Sequence, residues 1–207
     1  MADIIIVRHG NTAWNEIERF RGRAEIELSE TGRKQAYATA ARLAKLPVSF
    51  IYSSPAARAV ETANIIAQPH GLSVTSLPAI IDIDFGELQG LSQQEAQLRY
   101  TEVYDAWIKS PQAVKFPRGE SLAEVRARAG RAVDAIIRGL HDETVILVSH
   151  KVVIIALIMH LLKIPDAKFR HISQDTCAVN IFVKQKSFFY ATLINDTCHL
   201  SEISEAC

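Results

Sequence analysis

The sequence predicts a three-layer α/β/α sandwich built on a mostly parallel central sheet. Three observations carry that prediction. Short β-branched or apolar runs alternate with segments whose apolar residues fall at helical spacing. The connections between them are short. Two of the runs, Ile4-Ile5-Ile6-Val7 and Val145-Ile146-Leu147-Val148, end in a histidine, at Arg8-His9-Gly10 and at Ser149-His150. Open α/β sheets bind ligands outside the carboxyl ends of their strands, so both histidines are expected over one site.

In chain order, the first strand covers residues 4–8, and a polar loop over 11–27 follows and lines the site. Ala36, Ala40, Leu43 and Ala44 recur at helical spacing, which predicts a helix over 29–46. A second strand at 50–52 feeds a helix over 55–67 that starts near Pro55, a residue helices accept early. Residues 74–77 read as a third strand. Ser92-Gln93-Gln94-Glu95 and Ser121-Leu122-Ala123-Glu124 are capping boxes, each starting a helix. The second places Val125, Ala129, Ala132, Val133, Ile136 and Leu140 on one face. After the strand that ends at His150, the run 152–162 is interrupted by His160 and is too short to span a bilayer, so it reads as a buried helix. Residues 177–183 and 188–193 read as a hairpin closing the sheet. Residues 88–120 look like a lid-like insertion between core elements. Without a linker, repeat or low-complexity tract, residues 1–207 are expected to form one domain.

The composition excludes several classes of function. The 207 residues balance 23 basic against 23 acidic side chains, with no basic block to favour nucleic acid or a membrane surface. Cys177, Cys198 and Cys207 have neither disulfide-type nor metal-type spacing, and Met1-Ala2-Asp3 runs into a strand without the features of a signal peptide. A reduced, cytoplasmic setting is the expectation.

A third strand end, Ser53-Ser54-Pro55, precedes Arg58, so two histidines and two arginines are expected to meet. That constellation suits a phosphate. Neutral imidazole is a competent nucleophile near pH 7, and arginine forks match phosphate oxygens. The series Arg8-His9-Gly10-Asn11-Thr12 with Trp14-Asn15, Leu28-Ser29-Glu30-Thr31-Gly32, Ser53-Ser54-Pro55 through Arg58 to Glu61-Thr62-Ala63, Phe85-Gly86-Glu87, Gly119-Glu120-Ser121 and Val148-Ser149-His150 resembles the histidine phosphatase superfamily, the phosphoglycerate mutase-like proteins. The resemblance extends over nearly the whole chain. It implies His9 as the phosphorylated nucleophile, Arg8, Asn15 and Arg58 as phosphate ligands, and His150 as stabiliser of the transferring group. Arg21, in Arg19-Phe20-Arg21-Gly22-Arg23, sits in the loop that flanks the phosphate in the family, as a substrate contact or a solvated loop charge.

The leaving alkoxide needs a proton. The family's glutamate, four residues before a glycine, is matched by Asp82, with Asp84 and Glu87 as nearby alternatives. His70, His141, His160, His171 and His199 match no catalytic position and supply no metal triad. The expected activity is metal-independent hydrolysis of small-molecule phosphate monoesters through a phosphohistidine, with no cofactor. The partner is a small phosphorylated metabolite, and a homodimer is left open. Residues 107–111, 116–121 and 195–200 are similar to metal-independent phosphoserine phosphatases, although that group usually has histidine at Phe85 and glutamate at Asp82. A phosphoglycerate mutase and a non-catalytic phosphate-binding or regulatory protein are the alternatives.

Overall fold

The computed structural model describes residues 3–17, 19–186 and 188–204; Met1, Ala2 and Cys207 lie outside them. The elements are β1 (Asp3–Arg8), α1 (Ala13–Glu16), α2 (Glu30–Leu43), β2 (Val48–Ser53), α3 (Ala57–Ala67), β3 (Val74–Ser76), α4 (Gln93–Arg99), α5 (Thr101–Lys109), α6 (Leu122–Gly139), β4 (Thr144–Ser149), α7 (Lys151–Leu161), β5 (Val179–Gln185), β6 (Phe188–Asp196) and α8 (Ser201–Ser204). They build a six-stranded sheet in the order β3-β2-β4-β1-β5-β6. Strands β1 to β4 run parallel, while β5 is antiparallel to β1 and β6 is antiparallel to β5.

The pleat makes the layers. Alternate residues of a strand point to opposite faces, so Ile4 and Ile6 of β1 join Val145 and Leu147 of β4 in one core cluster with α6 and α7. Ile5, Val7, Ile146 and Val148 turn the other way and pack with α2 and α3. Helix α7 has Val152 to Met159 all buried, which explains why its sequence is apolar on every side. No helix among the described residues is long and apolar enough to cross a membrane.

This topology creates the site. The chain leaving β1 goes to α2 on one face, whereas the chain leaving neighbouring β4 goes to α7 on the other. A crevice opens where adjacent connections diverge in this way. The parallel register pairs Arg8 with Ser149 at the strand ends, so His9 and His150 leave the sheet side by side.

Several boundaries differ from the sequence reading. The helix expected over 29–46 ends at Leu43, and Ser29 is its N-cap, its hydroxyl accepting from the Gly32 N–H at 3.0 Å. Pro55 is not a helical residue: α3 has Ala56 as N-cap, which puts the proline one position before it. The polar loop over 11–27 contains the single turn α1. The hairpin strands are Val179–Gln185 and Phe188–Asp196, both extending further along the chain than expected. Both capping boxes form, at Ser92/Glu95 and at Ser121/Glu124. Within 88–120, the side chains of Leu88, Ala96, Trp107, Val114 and Phe116 join the cluster under Ile4 and Ile6. That segment is therefore packed on the core.

Candidate active site

His9 is 1% and His150 is 0% exposed, and their ring centroids lie 5.1 Å apart. The backbone N–H of His9 donates to the Ser149 carbonyl at 3.0 Å, extending the β1–β4 pairing to the histidine itself. Nδ1 of His9 is 2.7 Å from the Gly10 carbonyl. A carbonyl only accepts, so Nδ1 carries the proton and Nε2 carries the free lone pair. Gly10 is required by space: a Cβ there would come within 2.4 Å of the Gly32 carbonyl oxygen at the start of α2. The Gly10 N–H donates to Thr62 Oγ1 of α3, which ties the histidine's backbone to a second helix.

Both arginines are held by carbonyls. Arg8 Nη1 donates to the Gln174 carbonyl at 2.7 Å. Arg58, fully buried, donates from Nη1 to the Ala24 carbonyl and from Nη2 to the Gly22 carbonyl, at 2.9 and 2.8 Å. Gly22 adopts φ of +50°, a conformation glycine reaches without strain, and this aims its carbonyl at Arg58. The open forks expected from the sequence are thus partly committed to the protein. Their Nε–H groups, and Nδ1 of His150, are buried without a hydrogen-bond partner among the described residues. Asn15 accepts from the Thr12 N–H and hydroxyl through Oδ1, at 3.0 and 2.7 Å, which reserves its amide N–H₂ as the donor. Arg21 donates to the Trp14 carbonyl and lines the same cavity as His9, as does Asn15. It is a cavity residue, not a solvated loop charge.

The carboxylates separate clearly. Asp82 is 7% exposed and lines the cavity. Its Oδ1 accepts from the Ile83 N–H at 2.9 Å, and its Oδ2 lies 3.5 Å from Arg58 Nη2 and 3.7 Å from His150 Nδ1. Asp84 instead pairs with Arg23 and caps the Gly86 N–H. Glu87 pairs with Arg118 and accepts from Tyr100. Neither of these two lines the cavity.

Burial sets the protonation states. It pushes the Asp82 carboxyl above the ordinary range, outweighing the opposing pull of Arg58 and the Ile83 N–H. Burial, reinforced by Arg8 and Arg58, drives His9 well below the usual imidazole value. Burial with Arg58 and His9 does the same to His150. Arg8 falls to about 10, mainly through burial, and stays charged near neutrality. The site therefore holds imidazoles biased toward the neutral form, a carboxyl biased toward its acid form and fixed cationic donors.

The cavity encloses about 380 Å³ and extends from Arg8 and His9 to Trp107, Ile108, Phe169 and Arg170. Some of the supporting residues had no role assigned from sequence. Ser54 Oγ lies 2.7 Å from His150 Nε2, and Thr62 holds Gly10. Both stand inside the motifs quoted above, which marked their importance without a contact. Lys151 follows His150 directly and lines the cavity. Gln174 and Arg170 carry no local sequence signal. Of the remaining histidines, His160 is bonded to Asp134 and His199 to Thr39, at 2.9 and 3.0 Å.

Comparison with known proteins identifies the family and matches the fold. Residues 4–197 match the family model described as histidine phosphatase superfamily (branch 1). The chain is 34% identical over 202 residues to phosphoserine phosphatase 1 of Hydrogenobacter thermophilus, covering 98% of this chain and 96% of the relative. The solved structure of YhfR from Bacillus stearothermophilus superposes with a TM-score of 0.92 at 26% identity, over 97% of this chain and 100% of the other. A phosphoserine phosphatase from Entamoeba histolytica, solved as a histidine-to-alanine variant in complex with phosphoserine, gives a TM-score of 0.87 at 25% identity, over 97% and 100% of the two chains.

Proposed function

The chain belongs to the histidine phosphatase superfamily, and from that premise we propose that it hydrolyses small-molecule phosphate monoesters through a phosphohistidine at His9, without a metal ion. One observation carries the reading: the Nε–H groups of Arg8 and Arg58 and Nδ1 of His150 are buried without a hydrogen-bond partner among the described residues, on side chains whose charges or rings neighbour His9. Such orphaned donors are costly in an apolar interior. They become satisfied when equatorial phosphate oxygens accept from them.

Each residue then has a role. His9 Nε2 attacks phosphorus in line with the leaving oxygen while Gly10 keeps the ring oriented. Arg8 and Arg58 neutralise the transferring oxygens, Asn15 and His150 help to hold them by hydrogen bonding, and fixed cationic donors suit the charge on that group. Arg21 contacts the phosphate or the ester beyond it. Asp82, protonated in the complex, gives its proton to the leaving alkoxide. It then returns as the base that draws a proton from the water attacking the phosphohistidine. The segment 88–120, which contributes Gln93, Trp107 and Ile108 to the outer cavity, acts as a lid over this chemistry.

Phosphoserine is the substrate named for two of the relatives, whereas Phe85 stands here where that group usually has histidine. The test is a hydrolysis panel of metabolite phosphates, phosphoserine included, run with and without excess chelator. The reading predicts turnover of at least one monoester at a rate unchanged by chelator. Loss of turnover in chelator with recovery on adding magnesium would contradict it.

A further inference from the structure

The cavity carries more positive charge than one phosphate needs. Among the described residues Asp82 is the only carboxylate lining it, against Arg8, Arg19, Arg21, Lys151 and Arg170. Arg8 and Arg21 belong to the phosphate end, and Arg19 is spent on the Gly90 carbonyl and Glu95. Lys151 and Arg170 are left over. Neither forms an ion pair among the described residues. The Lys151 side chain makes no hydrogen bond among them, and desolvation with the neighbouring charges of Arg8, Arg21 and Arg170 lowers its ammonium from the ordinary lysine value against the opposing pull of Asp175. Arg170 is braced from behind: its Nη2 donates to the Trp107 carbonyl, and its guanidinium carbon lies 5.5 Å from the centroid of the Trp107 ring. Phe85 and Trp107, packed edge to face with centroids 6.0 Å apart, line the same cavity. Like charges are gathered at one rim at an electrostatic cost, which an anionic ligand relieves.

We propose that Lys151 and Arg170 form a second anion subsite, which takes a carboxylate carried on the alcohol portion of the phosphate ester while Phe85 and Trp107 cover its apolar body. This rests on the phosphatase reading above.

The test compares 4-carboxyphenyl phosphate with 4-carbamoylphenyl phosphate, which are close in size and shape and differ in charge. The subsite predicts a preference in kcat/KM for the carboxylate of about tenfold, the size of one hydrogen bond to a charged group, falling toward parity as salt is raised. Lys151→Gln and Arg170→Gln should each shrink the ratio, and the double variant should remove it, while Lys151→Arg retains it. Both residues are exposed by accessible surface and line the cavity, so the variants test charge rather than folding. Equal kcat/KM for the two esters, or a preference that survives the double variant, overturns the subsite and leaves the phosphatase reading standing. Hydrolysis of neither ester overturns the phosphatase reading and the subsite with it.

Discussion

At the scale of single residues, the chemistry rests on which groups are neutral and which are charged. Asp82 is one methylene shorter than the family's usual glutamate, yet its burial biases the carboxyl toward the acid form that a proton donor requires. Its Oδ2 is 3.7 Å from His150 and 3.5 Å from Arg58, the groups proposed to hold the transferring phosphoryl. Asp82→Asn keeps the shape and removes the proton. It should slow esters with poor alkoxide leaving groups by about 10²-fold or more and aryl phosphates far less. Steady-state kinetics on one ester of each type checks this, and equal slowing of both would assign Asp82 a positional role. A second residue-scale effect concerns the arginines. Arg58 uses two nitrogens to hold the Gly22 and Ala24 carbonyls and leaves its Nε–H without a partner among the described residues, which the proposed mechanism assigns to the phosphate. Lysine supplies the charge without that geometry. Arg58→Lys should therefore lose about 10²-fold or more in kcat/KM, corresponding to the loss of more than one hydrogen bond to a charged group. Near-normal kinetics would show that charge alone suffices there.

At the scale of elements, the parts legible in the sequence were those whose signal is local. Ile4-Ile5-Ile6-Val7 and Val145-Ile146-Leu147-Val148 read as buried strands because both faces of the sheet are covered, so neither face needs polar residues. Their terminal histidines followed at once. The two capping boxes located the starts of α4 and α6 because Ser and Glu three residues apart bond each other's backbone. What stayed hidden depends on contacts between distant segments. Gln174, whose carbonyl fixes Arg8, is 166 positions away along the chain. Arg128 of α6 donates to the Ala79 and Asp82 carbonyls and grips Glu120, whose carboxylate accepts from the Asp84 N–H. A helical arginine between Arg126 and Arg131 gives no hint of that grip. It ties the short loop bearing Asp82 to α6, and Arg128→Met should lower kcat on alkyl phosphates with KM little changed. A wild-type kcat in that variant would show that the loop holds its place without Arg128.

At the scale of the whole molecule, the buried site makes stability depend on pH. His9 and His150 have folded pKa values well below the ordinary 6.5. As pH falls through that ordinary value the unfolded chain takes up protons that the folded one refuses, so stability is lost toward acid. The loss is at most about 1.4 kcal/mol per pH unit for each histidine. Asp82 works in the opposite sense: its raised value stabilises the fold only while it is protonated, and that contribution disappears as pH rises through the carboxylate range. Melting temperature between about pH 7 and pH 5.5 should therefore fall, with a shallower slope in His150→Asn; identical slopes would show that His150 is not held neutral. The central claim concerns His9, where fold topology, the Gly10 carbonyl and the flanking arginines converge on one lone pair. It is tested most directly by quenching the enzyme during turnover of a ³²P-labelled monoester and isolating the phosphorylated protein. The account predicts an acid-labile, base-stable phosphoenzyme on the peptide that contains His9, absent from a folded His9→Ala variant that has also lost turnover. An adduct of the same stability in His9→Ala, or an acid-stable one in the wild type, would contradict it.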